Sequence, residues 1–202
     1  MRNPPSVKAR LRKELRRMRR AIAPAERARV SKLASAAVAR LPQFKAGARI
    51  ALYMPFDGEV DTAPLLAAAR RRRVRVFLPV IIDRRHSLMR FYPVTGKTRR
   101  GVFGIRVPRG NGCPTGSRWL NLIVVPLVGV DREGHRLGFG GGFYDRALDF
   151  RRARRRWRGP HLVGFSFDCQ LVPSAYPEHW DARLDALATE SGLAHFPLGA
   201  RR

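Results

Sequence analysis

The chain has 202 residues, 45% of them hydrophobic, and it carries a formal net charge of +26. This length and apolar content suit one well-buried core and are short for two, so we expect a single domain over residues 1–202. No membrane partner is expected, because no apolar run approaches the roughly 20 residues that cross a bilayer.

The positive charge is almost entirely arginine, and it is spread along the chain rather than gathered in one segment. Basic runs occur at residues 10–20, 70–75, 84–85, 99–100 and 151–158. They lack the interleaved aromatics of a single-strand platform, and no finger, homeodomain or RNA-recognition signature accompanies them. We therefore expect salt-sensitive attraction to polyanions but no specific nucleic acid as a partner. A basic nucleic-acid-binding protein remains the alternative from another functional class.

The predicted secondary structure alternates between helix and strand. Apolar residues at helical spacing predict a first amphipathic helix with Leu11, Leu15, Met18 and Ile22 on one face. Further helices are predicted over residues 23–41, 63–72 and 143–156, strands over 48–54, 74–80, 88–92, 120–125 and 162–167, and a loop over 95–118. This alternation predicts an α/β fold, a single three-layer domain whose mainly parallel sheet has helices on both faces.

Residues 134–145 form the segment most informative about function. They place five glycines between the predicted strand 120–125 and the predicted helix that begins at Phe143. Glycine adopts positive φ readily and lets backbone N–H groups approach an anion closely. No Gly-Lys-Ser/Thr follows, and Phe143 stands where the dinucleotide pattern needs its last glycine, so neither common nucleotide signature fits. The segment predicts a phosphate-binding loop, with a flexible surface turn as the alternative.

The two cysteines, Cys113 and Cys169, have neither the spacing of a metal site nor that of a disulfide framework. They indicate a reducing compartment. Charged residues interrupt every apolar stretch of the first forty residues, so no signal peptide is expected. A cytoplasmic location is the resulting expectation.

The string from Arg136 to Asp145 resembles the signature of the 5-formyltetrahydrofolate cyclo-ligase family. Residues 8–12, 54–62 and 179–185 also resemble segments of that family at the expected places in chain order. Two departures stand out. Phe143 occupies a position where the family usually has Tyr, and residues 105–108 replace a segment that often reads Ile-x-Glu-Pro.

The resemblance implies an enzyme that uses ATP and Mg²⁺ to convert 5-formyltetrahydrofolate, a reduced folate, into 5,10-methenyltetrahydrofolate with release of ADP and phosphate. We expect the protein to be a monomer. The changes at Arg106, Val107 and Phe143 keep a second reading open. In that reading the chain is a paralogue with the same ATP site, acting on another one-carbon or thiamine-related compound.

The resemblance also implies roles for individual residues. The implied ATP contacts are Lys8, Arg12, Arg136, Leu137, Gly138, Phe139, Gly140, Gly141, Gly142, Phe143 and Tyr144. The implied folate contacts are Met54, Glu59, Phe139, Gly140, Gly141, Gly142 and Phe143. Arg136 and Tyr144 are the implied catalytic residues, and Asp145 and Asp181 are the implied Mg²⁺ ligands, a number of carboxylates that suits this cation.

Each role has a structural alternative when the residue is considered alone. Lys8 and Arg12 could form a solvated helix face, and Glu59 could be a surface loop carboxylate. Asp181 could cap a helix over residues 182–189, and Tyr144 could be a core aromatic.

Overall fold

The computed structural model describes residues 6–94, 96, 98–109, 112–153 and 159–197. The helices are α1 (Val7–Ala21), α2 (Pro24–Ala39), α3 (Ala63–Arg71), α4 (Phe143–Leu148) and α5 (Phe150–Ala153). The strands are β1 (Arg49–Ala51), β2 (Arg75–Asp83), β3 (Leu88–Pro93), β4 (Thr98–Arg100), β5 (Arg106–Pro108), β6 (Leu122–Val125), β7 (Gly129–Asp131), β8 (Arg136–Leu137), β9 (His161–Phe165), β10 (Leu171–Val172), β11 (Ala186–Thr189) and β12 (Gly192–His195). In the described part of the chain, no helix combines the length and apolar character needed to cross a bilayer.

Seven strands form the main sheet in the order β12-β11-β9-β6-β1-β2-β3. The five inner strands run parallel, and the two edge strands, β12 and β3, pair antiparallel with their neighbours. The central strand β6 is buried at all four positions, as expected of an apolar strand covered on both faces. The predicted, mainly parallel sheet is therefore confirmed.

Helices cover both faces of this sheet because successive side chains of each strand point in opposite directions. Leu122 and Val124 of β6 join a core cluster with residues of α2 and α3. Ile123 and Val125 join a second cluster that contains Leu148 of α4. The three-layer architecture is thus also as predicted.

Helix α1 packs outside these layers, on a small sheet with the strand order β10-β7-β8. Leu15 of α1 contacts a cluster that includes Val128 and Leu137. β8 leads directly into residues 138–142, which we call the glycine segment. The packing of α1 on the small sheet therefore places α1 beside this segment.

Several predicted elements differ from the structure. The glycine segment does not follow the strand β6 directly, because the β7–β8 hairpin intervenes; β8 has only two residues, too few for a periodic pattern. The predicted loop 95–118 contains the paired strands β4 and β5. The predicted helix 143–156 divides after Leu148 into α4 and α5, and residues 154–158 lie outside the described residues.

The first helix differs from its predicted face at one turn. Met18 is 38% exposed, whereas Arg19 is only 1% exposed. The buried face therefore continues from Leu15 to Arg19, four residues later, and leaves Met18 partly exposed. A charged side chain is buried in this turn, where the apolar pattern predicts that Met18 is buried.

The C-terminal segment also differs. A helix over residues 182–189 capped by Asp181 is wrong, because Ala186–Thr189 is strand β11. This strand lies between β9 and β12, and all four of its residues are buried. Burial between two strands outweighs the helix preference of Ala and Leu, which is weak by comparison.

Candidate active site

A cavity of about 770 Å³ opens where strands β1 and β6 end. Met54 and Pro126, which follow these two strands, both line it. Ligands of open parallel sheets characteristically bind at this carboxyl edge. The position of the cavity is therefore the one that the fold favours for a binding site.

The structure brings every predicted site residue together around this one cavity. The residues that line it include Lys8, Arg12, Met54, Glu59, Arg136, Leu137, Gly138, Phe139, Gly140, Gly141, Gly142, Phe143, Tyr144, Asp145 and Asp181. They come from segments that lie far apart in the sequence, so their convergence is a property of the fold. Their individual roles remain predictions.

One face of α1 carries four basic side chains at i, i+4 spacing, which we call the basic stripe: Lys8, Arg12, Arg16 and Arg20. Lys8 Nζ donates to Glu178 Oε1 at 3.0 Å. Arg12 Nε donates to the Gly138 carbonyl oxygen at 2.8 Å. The stripe is therefore attached to the glycine segment through Gly138 and to the C-terminal part of the chain through Glu178. It is not solvated along its whole length.

The glycine segment has the backbone conformation that its composition predicts. Gly140 and Gly142 have φ values of +96° and +66°, in the left-handed region that favours glycine. The Gly142 carbonyl oxygen accepts from Arg146 N at 3.0 Å as α4 begins. The Ser87 hydroxyl, from the β2–β3 turn, donates to the Gly141 carbonyl oxygen at 2.9 Å. The segment is thus an exposed loop that is hydrogen-bonded to α1 and to the β2–β3 turn.

Arg136 is buried, and each of its terminal nitrogens donates one hydrogen bond to another group of the protein. Its side chain is 3% exposed, and its guanidinium donates to Asp145 Oδ1 and to the Ala182 carbonyl oxygen. Asp145 Oδ1 also accepts from Ala182 N at 3.3 Å. Arg136 therefore supplies a fixed positive charge at the base of the cavity and ties the glycine segment to the C-terminal segment.

Asp145 and Asp181, the predicted Mg²⁺ ligands, both line the cavity, and Asp145 accepts a hydrogen bond from the backbone N–H that follows Asp181. Asp181 uses Oδ2 to accept from Glu178 N at 2.9 Å, and Asp145 uses Oδ1 for Arg136. Among the described residues, the second oxygen of each carboxylate accepts no hydrogen bond from protein. The described chain holds no group of three or more His, Cys, Asp or Glu side chains suited to a metal. The donor set fits a cation that takes one or two protein carboxylates and completes its shell with water or phosphate oxygens.

Glu59 is a buried carboxyl group at the cavity, not a surface loop carboxylate. It is 6% exposed, and its Oε2 accepts from Phe56 N at 2.9 Å. Arg19 lies at the edge of ion-pair range, with its Nη1 4.0 Å from Oε1. Burial raises the pKa of Glu59 to about 7, because a charged carboxylate loses solvation there. The protonation of this group therefore changes near neutral pH.

The Tyr144 hydroxyl is buried and has no hydrogen-bond partner among the described residues. Burial raises the pKa of this phenol above its ordinary value, and the nearby Glu59 adds to the effect. Buried hydroxyl groups are nearly always hydrogen-bonded in native proteins. Tyr144 packs against the core cluster through its ring, yet its hydroxyl belongs to a residue that lines the cavity.

The residue that joins α1 to the segment after β1 was not identified from the sequence. Asp57, whose side chain is 7% exposed, accepts from Arg16 Nε at 2.7 Å, from Arg19 Nη2 at 3.2 Å and from Arg20 Nε. Arg19 Nε also donates to the Asp57 carbonyl oxygen at 3.1 Å. An arginine four residues after Leu15 on the apolar face is the one sequence signal that points to this cluster.

Asp57 is ionised over most of the pH range. Burial alone would raise the pKa of Asp57, but hydrogen bonds from Arg20 and Arg16 outweigh it and hold the pKa below its ordinary value. The depressed pKa means that the ionised carboxylate stabilises the fold above the pKa of the unfolded chain.

Replacing Asp57 by Asn is expected to lower the free energy of unfolding at pH 7 by about 3–5 kcal/mol, because it leaves the buried Arg19 without its nearest counter-charge. The difference from wild type should shrink as the pH falls below about 4, where Asp57 becomes protonated in the unfolded chain and then in the folded chain. Urea denaturation at several pH values measures both effects. Glu26→Gln, which removes an exposed carboxylate from α2, is the matched control and should change stability far less. Equal effects of the two variants would contradict the role of Asp57.

Comparison with known proteins agrees with the resemblance seen in the sequence. A model of the 5-formyltetrahydrofolate cyclo-ligase family matches residues 5–190. The chain is 33% identical over 184 residues to the 5-formyltetrahydrofolate cyclo-ligase of Escherichia coli K12, covering 88% of this chain and 97% of that protein. It is 37% identical over 143 residues to the Haemophilus influenzae protein of the same name, covering 67% and 72% of the two chains.

The fold agrees as well. The NMR structure of Aquifex aeolicus 5,10-methenyltetrahydrofolate synthetase superimposes with a TM-score of 0.80 and 31% identity, over 98% of this chain and 96% of the other. The match in sequence runs through all four segments that meet at the cavity. This chain is therefore a member of the 5-formyltetrahydrofolate cyclo-ligase family.

Proposed function

We propose that this chain catalyses the ATP-dependent conversion of 5-formyltetrahydrofolate into 5,10-methenyltetrahydrofolate, with release of ADP and phosphate. The observation that supports this most directly is the convergence of four distant segments on a single cavity in a member of this family. A volume of about 770 Å³ lies within the range of pockets that bind small molecules.

In this proposal the ATP phosphates lie between the basic stripe and the glycine segment. Arg12 uses Nε to hold the Gly138 carbonyl oxygen, which leaves its two terminal nitrogens for phosphate oxygens. Lys8 forms an ion pair with the half-exposed Glu178. In this proposal an ATP phosphate replaces Glu178 as the partner of the Lys8 ammonium group. Arginine forks match phosphate geometry, and charge-assisted hydrogen bonds of this kind are about twice as strong as neutral ones.

Asp145 and Asp181 are the residues proposed to hold Mg²⁺, each through the carboxylate oxygen that no described protein group occupies. The cation, when bound, neutralises negative charge on the triphosphate. Asp145 has a second function in the same proposal, because it keeps the Arg136 guanidinium fixed at the base of the cavity.

The reduced folate is proposed to lie against the side of the cavity formed by Met54, Glu59 and residues 139–143. A carboxylate at Glu59 can accept hydrogen bonds from the ring N–H and amino groups of a pterin. Phe139, which is 42% exposed, offers an aromatic face at the same cavity. The centre of the Phe139 ring lies 5.6 Å from the guanidinium carbon of Arg19. This contact places the ring next to the ion pair between Arg19 and Asp57.

The proposed reaction has two displacements and needs no covalent protein intermediate. The formyl oxygen on N5 attacks the γ-phosphorus and ADP leaves. N10 then attacks the activated formyl carbon, and phosphate leaves together with the N10 proton. The protein holds the formyl oxygen in line with the γ-phosphorus and surrounds the developing charge with fixed donors. Arg136 and the Tyr144 hydroxyl are the proposed donors, since one is a held charge and the other has an unused hydrogen-bonding capacity.

We further propose that the enzyme acts as a cytoplasmic monomer without a specific nucleic-acid or membrane partner. Both cysteines are unpaired, which suits a reducing compartment.

One assay tests the proposed function against its alternatives. Pure protein is incubated with 5-formyltetrahydrofolate, Mg²⁺ and ATP, and the methenyl chromophore is followed together with ADP. We expect equal amounts of chromophore and ADP, and none of either when ATP is omitted. ADP formation only with another one-carbon or thiamine-related compound would instead indicate a paralogue. Sequence-selective nucleic-acid binding that survives high salt, without ATP turnover, would contradict the enzymatic proposal.

Asp145→Asn is expected to lower kcat/KM by ~10²-fold or more, because it weakens the hold on Arg136 and removes a carboxylate from the proposed metal site. Circular dichroism should show a folded protein. The magnesium concentration for half-maximal activity should rise in this variant, and an unchanged value would contradict the metal role. Asp149→Asn, at an exposed carboxylate outside the cavity lining, is the control and should keep wild-type kinetics.

Tyr144→Phe should lower kcat by ~10- to 100-fold, because it removes a hydroxyl donor that acts in the transition state. The same change should leave the melting temperature at or above the wild-type value, since that hydroxyl forms no hydrogen bond within the described residues. Unchanged kcat would show that the Tyr144 hydroxyl has no part in the reaction. A lower melting temperature would show that the hydroxyl contributes to the fold.

Glu59 is expected to make folate binding dependent on pH. With its pKa raised to about 7, the carboxylate fraction falls as the pH drops from 8 to 6. The KM for 5-formyltetrahydrofolate should therefore rise over that interval. In Glu59→Gln, KM should be higher at pH 8 and nearly constant with pH. A KM profile with the same slope in wild type and variant would show that another group titrates.

A further inference from the structure

A second hollow lies between α2 and α3, away from the proposed active site. It has a volume of about 450 Å³ and shares no lining residue with the larger cavity. Ser35, Ala39 and Ala68 are among the residues that line it. Small side chains at these positions leave space where the two helices meet, and we call this hollow the α2–α3 groove.

The Ser35 hydroxyl has an unmet hydrogen-bonding requirement in this groove. Ser35 is 3% exposed, and its Oγ has no hydrogen-bond partner within the described part of the chain. Ser31, one turn earlier, shows the usual arrangement: its hydroxyl donates to the Arg27 carbonyl oxygen at 2.6 Å and accepts from Asp61 N at 2.8 Å. A buried hydroxyl without a partner is uncommon. The hydroxyl oxygen lies out of solvent contact beneath the groove, so a ligand atom there becomes its partner only after the neighbouring side chains shift.

Among the residues that the structure describes, the same groove is lined by basic side chains and by no carboxylate. Its basic residues are Lys32, Arg40, Arg71 and Arg72. In the described chain, the side chains of the first three form no hydrogen bond or ion pair with protein. Arg72 is held in place, because its guanidinium donates to the Ala39 carbonyl oxygen and lies 5.7 Å from the ring centre of Phe44.

We propose that the α2–α3 groove binds the phosphate group of a small phosphorylated molecule. Guanidinium forks and an ammonium group are the side chains that proteins use for phosphate, and a serine hydroxyl completes such sites as a donor. The groove is larger than a single phosphate ion requires, so there is room for an organic group. This site is separate from the proposed ATP and folate cavity and does not depend on the proposed reaction.

The test is a titration of the ¹⁵N-labelled full-length chain with inorganic phosphate and with ribose 5-phosphate, followed by NMR at constant ionic strength. Residue-resolved shifts separate the groove from the glycine segment, where phosphate is also expected. We expect saturable shifts at Ser35, Ala36, Ala68 and Arg71. Tighter binding of ribose 5-phosphate would identify an organic phosphate as the ligand, and equal binding would identify phosphate itself; both outcomes support the site.

Two variants and one control make the test decisive. Arg71→Gln should weaken phosphate binding at the groove ~10-fold, the loss of about one charge-assisted hydrogen bond, and Ser35→Ala should weaken it ~3-fold. Ser35→Ala should melt at or above the wild-type temperature without phosphate, since Ala favours a helix and no hydrogen bond is lost. Arg132→Gln, at an exposed arginine outside both hollows, should bind as wild type does. Shifts that grow linearly with phosphate, or that are equal in all variants, would overturn the proposal.

Discussion

The geometry of the cavity depends on one buried carboxylate that joins two segments of the chain. Asp57 accepts hydrogen bonds from three arginines of α1, and one of these, Arg19, lies almost completely out of solvent. Because Arg19 also donates to the carbonyl oxygens of Asp57 and Leu127, the helix is attached to the segments that follow both β1 and β6. The positions of Lys8, Arg12 and Glu59 relative to each other follow from this attachment.

The polar groups around the cavity differ in how completely the protein satisfies them, and this difference separates framework from binding groups. Arg19 and Asp57 have several protein partners each and hold segments together. Within the part of the chain that the structure describes, the Tyr144 hydroxyl has no partner. Asp145 and Asp181 each bond to described protein groups through one carboxylate oxygen only. Groups of the second kind are costly to bury unless a ligand completes their bonding. Their presence at one cavity supports a site that is prepared before its ligands arrive.

The fold class and the glycine loop could be predicted from local pattern, because strands such as β6 are continuously apolar and five glycines fall within nine residues, 134–142. The family resemblance supplied the site residues, and the structure brings them to one cavity. The Asp57 cluster could not be predicted in this way, since its arginines are 37 to 41 residues away in sequence. Arg19 on the apolar face of α1 indicates that a buried partner exists but does not identify it. Strand β11 was missed for a related reason: Ala and Leu carry little strand preference, and only burial between neighbours determines their conformation.

The basic stripe of α1 has a consequence for the order in which the protein acquires its structure. Like charges four residues apart repel one another, so this helix is disfavoured as an isolated peptide in water. Its partners Glu178, Gly138 and Asp57 come from regions synthesised later, the first of them 170 residues downstream. The N-terminal segment thus emerges from the ribosome long before the surface that stabilises it exists. The side of the pocket that is proposed to bind ATP is accordingly completed only when the rest of the polypeptide has folded, so a partly made chain lacks this proposed site.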